Sequence, residues 1–202
     1  MVYAKKGKAV KKAKLQVVIV GGGYSGVSAA NQLKKENPEV SMVIVEEKPF
    51  FVSCPMSNRY LVGLMDFGSL CFSYSSLEKK CIRVVKDKLL DVDFGKKTVS
   101  TSKDIGYIDY DFLVVSPGIE YDIEKQPFYK ESLIYNPPAF KPGSEHIFLK
   151  KLLDEFEGGN IVITVPPYPY RCPPAPYERA ALIASMIKKN KLKAQIFFID
   201  AS

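Results

Sequence analysis

Residues Val17–Gly26 read VVIVGGGYSG, and the order of residue types in this stretch sets the architecture around it. Its first half belongs to KLQVVIV (Lys14–Val20), short and almost wholly apolar, the pattern of a strand buried on both faces. Three glycines follow at once. Then VSAANQLKKEN reads as a helix, stopped at Asn37-Pro38 because the residue before a proline is driven out of the helical region. SMVIVE (Ser41–Glu46) is a second buried strand. Strand, tight turn, helix and strand within about 30 residues make a βαβ unit.

That frame gives the spacing Gly21-x-Gly23-x-x-Gly26 its meaning. Gly21 permits the tight turn, Gly23 lets backbone approach a pyrophosphate, and Gly26 lets helix and sheet pack closely. The helix N-terminus offers N–H groups and partial positive charge to phosphates. Glu46 closes the next strand about 20 residues on, where a carboxylate accepts hydrogen bonds from a ribose 2′-OH and repels a 2′-phosphate. A dinucleotide site is expected, and FAD and NAD both satisfy it.

Working outward, CIRVVKDKLLDVDF and KTVST flank the turn Gly95-Lys96 and read as a small antiparallel ribbon. A short helix is expected near Ser69–Lys80. DFLVVSPG (Asp111–Gly118) is another buried strand, stopped by Pro-Gly. SEHIFLKKLLDEFEGG reads as a helix with Ser144 at its N-cap, a Leu149, Leu152, Leu153, Phe156 stripe, and Gly158 to end it. NIVITV then opens a second βαβ unit, with a helix near Tyr177–Asn190 and the strand AQIFFID. The expected fold is α/β: a Rossmann-like domain with a parallel sheet and a small antiparallel ribbon, then the start of a second Rossmann-like domain. The boundaries are a basic tail at 1–14, the first domain at 15–157 and the second from 158 to 202. Two strands and one helix do not bury both faces of a parallel sheet, so 158–202 reads as the opening of a domain that another segment or chain completes.

Composition narrows the function classes. The chain has 202 residues and 47% hydrophobic content, enough for a sizeable core and against global disorder. Its formal charge of +7 is concentrated in Lys5, Lys6, Lys8, Lys11, Lys12 and Lys14; setting those six aside from 29 basic residues leaves 23 against 22 acidic. The body is near neutral, and no nucleic-acid role is expected. No apolar run reaches the ~18 residues of a membrane span, and no signal peptide is visible. Four cysteines form no CxxC and accompany a single histidine, His146, so no metal site is expected.

The turn of the second βαβ unit is unusual. Where a phosphate loop would sit, Pro166–Ala180 reads PPYPYRCPPAPYERA. Its glycines are gone, so a second dinucleotide is not expected there. Cys172 stands beside Arg171 and before a helix N-terminus, surroundings that favour thiolate; a reactive thiol and an inert loop both fit. Cys54, in FFVSCPMSN past the end of the second strand, reads from chemistry alone as a small buried hydrophobe. Cys71 and Cys81 read as structural. VVSPG (Val114–Gly118) is a turn that would let backbone lie near a bound dinucleotide.

Taken together, VVIVGGGYSG, VSCPMSN, VVSPGIE and above all RCPPAPYERA resemble the flavoprotein subunits of flavocytochrome c sulfide dehydrogenase. These lie within the FAD-dependent pyridine nucleotide–disulfide oxidoreductase superfamily, which also holds the sulfide:quinone oxidoreductases. The resemblance runs from Lys14 to Asp200; the cysteine block is highly specific and the glycine motif generic. It implies FAD held by Gly21, Gly23, Gly26 and Glu46, with Ser116, Pro117 and Gly118 beside the flavin nucleotide and the Val85 backbone at the adenine. It implies a covalent flavin link through Cys54 and a redox-active Cys172. It further implies sulfide as reductant, a c-type cytochrome subunit as partner and a periplasmic setting. Two departures stand out. Ala175 replaces the usual glycine of the cysteine block, and the family's second redox cysteine lies in a C-terminal half that this chain does not match, so no turnover by the chain alone is expected. A sulfide:quinone oxidoreductase and a non-catalytic remnant that binds FAD or a partner are the alternatives.

Overall fold

A computed structural model describes residues 14–102, 106–124, 129–141 and 143–201. The basic tail, Lys14 apart, lies outside the described residues. In chain order the elements are β1 (Gln16–Val20), α1 (Tyr24–Glu36), β2 (Ser41–Val45), β3 (Phe51–Val52), α2 (Ser57–Leu61), β4 (Cys71–Phe72), α3 (Ser75–Glu78), β5 (Ile82–Val85) and β6 (Leu89–Asp93). There follow β7 (Thr98–Thr101), β8 (Tyr107–Asp109), β9 (Phe112–Val115), α4 (Tyr129–Tyr135), α5 (Ser144–Asp154), β10 (Gly159–Val165), α6 (Ala175–Lys189) and β11 (Ala194–Asp200). The chain forms two compact units: the described parts of Met1–Phe51 and Ser73–Gly118, and those of Val52–Phe72 and Ile119–Ser202.

The first unit is built on a four-stranded parallel sheet in the order β5-β2-β1-β9. β1 and β2 are buried on both faces, with Val18, Ile19 and Ile44 fully enclosed. Each such side chain contributes roughly 1.5–3 kcal/mol of apolar burial. Val17, Ile19, Met42 and Ile44 pack with Ala30 of α1 and Leu77 of α3 on one side. Val18, Val43 and Val45 pack with Val99 and Ile108 on the other. Those last two come from the antiparallel sheet β6-β7-β8. The expected ribbon is therefore present with two changes. IRVV leaves it to become β5 at the edge of the parallel sheet, because Ile82 and Val85 find buried faces there. YID joins it as the third strand β8, because Ile108 fills the space over Val99.

The second unit is centred on the parallel pair β10-β11, in register from Gly159↔Ala194 to Val165↔Asp200. Leu61 of α2, Leu153 of α5 and Ile183 and Ile187 of α6 form its core, joined by Leu149, Phe156, Ile161, Ile163 and Ile196. Packing thus groups Val52–Phe72 and the described residues of 119–157 with 158–201, whereas the sequence reading assigns both stretches to the first domain; Leu61 of α2 and the apolar stripe of α5 tie them there. Helix ends differ in detail. Gly143, at φ +113, caps α5, so Ser144 is its first helical residue rather than its cap, and the helix ends at Asp154 before Gly158 is reached. The helix expected over Ser69–Lys80 is a 3-10 turn at Phe67–Leu70 followed by the short α3.

Candidate functional site

Because all four strands of the first sheet run parallel, the turns after β1, β2, β5 and β9 gather at one edge, the edge where open α/β sheets bind ligands. Gly21 and Gly26 are there for space. Gly21 has φ +96, and a Cβ on it would stand 2.0 Å from the Ser116 carbonyl oxygen. A Cβ on Gly26 would stand 1.9 Å from the Gly21 carbonyl oxygen. No side chain fits in either place. Gly23 differs: nothing lies within 4 Å of the position its Cβ would take. It caps α1 with no side-chain hydrogen bond, and the first turn of α1 carries no acidic residue. Open space over a glycine at an uncapped helix N-terminus is a cradle for a phosphate group.

Glu46 braces this loop. Its carboxylate accepts from Gly22 N–H at 2.7 Å and from Lys48 N–H at 2.9 Å. A carboxylate has about four acceptor positions, so capacity for a ribose hydroxyl remains. The Val85 carbonyl accepts from the N–H of Glu46 at 2.9 Å, which puts the Val85 backbone beside that of Glu46. Ser116 joins β9 to the glycine turn, donating from Oγ to the Val20 carbonyl at 2.9 Å and from its N–H at 2.8 Å. Pro117 and Gly118 follow; Gly118 has φ +95 and open space at its Cβ position. The residues present fit a dinucleotide, without choosing between FAD and NAD.

Tyr74 belongs to the same cradle and was not foreseen. It is buried, and its hydroxyl donates to the Gly22 carbonyl at 3.0 Å. Burial, with the Glu46 charge second, raises its pKa well above the ordinary phenol value, so it acts as a fixed donor. Nothing local in SYSSLE marks that role.

Cys54 and Cys172 both belong to the second unit. Cys54 is half-buried in the turn before α2, where Ser57 N–H donates to its carbonyl at 2.9 Å; its Sγ lies 3.9 Å from the Phe140 carbonyl oxygen. Cys172 is exposed, with φ +57, a left-handed conformation that non-glycine residues seldom take. Its carbonyl accepts from Ala175 N–H at 3.0 Å, and α6 starts at Ala175. Ala175 is therefore helical and tolerates the replacement of glycine without strain. Cys71, Cys81 and Cys172 are free thiols. Burial raises the pKa of Cys71, whose Sγ lies 3.4 Å from the Phe67 carbonyl oxygen.

Further unforeseen residues lie in the same unit as Cys54. Asn58 of α2 donates from Nδ2 to Glu178 Oε2 at 2.7 Å and accepts at Oδ1 from Arg179 Nε at 2.9 Å. His146 is fully buried, with the backbone of Ala139 and Lys141 within hydrogen-bonding reach of its ring. Burial first, and the Arg179 charge second, lower its pKa from 6.5 to about 4.

Residues 15–127 match the family model described as pyridine nucleotide-disulphide oxidoreductase. The chain belongs to that family. Residues 146–202 match a second model, that of the central part of the sulfide dehydrogenase [flavocytochrome c] flavoprotein chain. A flavocytochrome c sulfide dehydrogenase flavoprotein chain of Chlorobaculum thiosulfatiphilum is 51% identical over 43 residues, which are 21% of this family member and 90% of that sequence. A sulfide-quinone reductase of Aquifex aeolicus is 25% identical over 183 residues, 89% of this chain and 41% of that one. A mitochondrial sulfide:quinone oxidoreductase of Mus musculus is 25% identical over 194 residues, 92% of this chain and 42% of that one. The fold matches the solved sulfide:quinone oxidoreductase of Aquifex aeolicus with a TM-score of 0.74 at 23% identity, over 93% of this chain and 43% of that one. The chain thus spans about two fifths of the length of these longer relatives.

Proposed function

We propose that this chain is the dinucleotide- and thiol-bearing part of a sulfide-oxidising flavoprotein of the flavocytochrome c type. The observation that carries the reading is the block CPPAPYERA, which replaces a phosphate loop by an exposed cysteine ahead of α6 and lies within the residues matching the sulfide dehydrogenase model. The cradle around Gly23 holds the pyrophosphate of FAD, Glu46 its ribose, and Ser116, Pro117 and Gly118 the backbone turn beside it. FAD, when bound, accepts an electron pair and passes electrons on singly.

The protein's part of the chemistry is thiol exchange. Hydrosulfide attacks a disulfide that includes Cys172. One S–S bond breaks, another forms to the incoming sulfur as a persulfide, and the expelled sulfur leaves as a thiolate; re-forming the disulfide with loss of the outer sulfur at the zero-valent level would release the electron pair that FAD accepts. The resemblance puts the partner cysteine in the region of the relatives that this chain does not match. Cys54 is the residue that would hold the flavin, through a thioether, and a c-type cytochrome outside the cytoplasm would take the electrons. A quinone acceptor is the second reading, favoured by the length over which the sulfide:quinone oxidoreductases align.

Acid precipitation of the purified, flavin-loaded protein tests the flavocytochrome type. Flavin retained in the washed pellet is expected. Flavin recovered wholly in the supernatant would remove the covalent link and with it the preference over the quinone enzymes.

A further inference from the structure

We propose that Arg179 is the positioning residue for the Cys54 thiol, its guanidinium fork clamping together the two segments that flank that sulfur. Cys54 leads into α2, and Asn58 lies in the first turn of that helix. Arg179 Nε donates to Asn58 Oδ1 at 2.9 Å, while Asn58 Nδ2 donates to Glu178 Oε2 at 2.7 Å and to the Ala175 carbonyl at 3.2 Å. Both Asn58 amide hydrogens are used and its oxygen accepts from Arg179, so the orientation of the amide is set by its partners.

The other flank is the strap Pro138–Lys141. Arg179 donates from its two terminal nitrogens to the carbonyls of Pro138 and, at 3.1 Å, Ala139, and its guanidinium carbon lies 5.1 Å from the Phe140 ring centroid. Ala139 is buried with φ +51, so the strap holds a conformation that its own sequence does not favour. From the opposite side the Tyr121 hydroxyl accepts from Phe140 N–H at 3.2 Å and Lys141 N–H at 3.0 Å, and donates to Glu145 at 2.6 Å. The strap's carbonyls are thus bound by one side chain and its amides by another. Its Phe140 carbonyl is the oxygen that Cys54 Sγ approaches. One planar fork serves Asn58, Pro138 and Ala139 together. A lysine, a single charge on a flexible stem, does not span three acceptors fixed in this way.

The functional meaning of the clamp rests on Cys54 being the flavin-bearing thiol; the clamp itself does not. Alkylation of the flavin-free 202-residue chain, read by mass spectrometry at each cysteine, tests it with exposed Cys81 as internal reference. Arg179→Gln and Arg179→Lys should each raise the Cys54-to-Cys81 labelling ratio about tenfold by local opening of the strap. Tyr121→Phe, which frees the two strap amides and the Glu145 carboxylate but neither strap carbonyl held by Arg179, should raise it less, and it keeps the test open if the Arg179 variants do not fold. A wild-type ratio in Arg179→Gln, or full retention in Arg179→Lys, overturns the fork as the positioning element. A raised ratio together with flavin still attached in Cys54→Ser would uphold the clamp and overturn the flavin reading of Cys54.

Discussion

Lowering the pH from 7 to 4 should withdraw about 3 kcal/mol of stability through one residue, His146. The side chain is fully buried against the backbone of Ala139 and Lys141, whose hydrogen bonds to the ring oppose the larger effect of burial. Burial and the neighbouring Arg179 charge lower its pKa from 6.5 to about 4. The folded state therefore holds a neutral imidazole where the unfolded chain holds a charged one. Above pH 6.5 both states are neutral and the residue costs nothing by this route. Between 6.5 and about 4 the unfolded chain binds a proton that the folded state refuses, and stability falls with pH. At 1.36 kcal/mol per pH unit the full difference is about 3 kcal/mol. Urea unfolding at half-unit pH steps, in the wild type and in His146→Leu, isolates the effect, since the carboxylates titrate alike in both. The two curves should converge at high pH, apart from a constant offset, and diverge below pH 6.5, with the wild type falling more steeply. Parallel curves from pH 7 to 4 would refute the reasoning.

Gly26→Ala should abolish dinucleotide binding and lower the unfolding midpoint, because its Cβ would stand 1.9 Å from a backbone oxygen; retention of wild-type flavin content would contradict the packing argument. Cys54→Ser should release acid-stable flavin from the polypeptide while leaving bound flavin measurable before denaturation.

Legibility in the sequence followed the distance over which each feature is determined. The βαβ frame and Gly21, Gly23, Gly26 and Glu46 could be read because turn, helix and strand signals sit within one short segment. Ser116 could be read because a Pro-Gly turn after an apolar run marks the end of a strand. The three-stranded character of the antiparallel sheet was not legible: YID is too short to show alternation, and it becomes a strand only because Val99 needs a cover. Tyr74 meets Gly22 across 52 positions, and Arg179 meets Asn58 across 121. Those roles come from tertiary packing, and YERA alone does not announce a clamp. Cys54 read as a small hydrophobe from chemistry alone, and the structure puts its sulfur against a backbone carbonyl in a half-buried turn.

The central claim is that sulfide, acting through Cys172, reduces a flavin held by the glycine cradle. Anaerobic addition of sulfide to the flavin-loaded protein, reconstituted with a polypeptide that supplies the partner cysteine of Cys172 and with and without Cys172→Ser, tests it most directly. The visible flavin band should bleach with sulfide in the wild type, stay oxidised in Cys172→Ser, and not respond to NADH. Bleaching by NADH but not by sulfide, or wild-type bleaching by sulfide in Cys172→Ser, would contradict the claim.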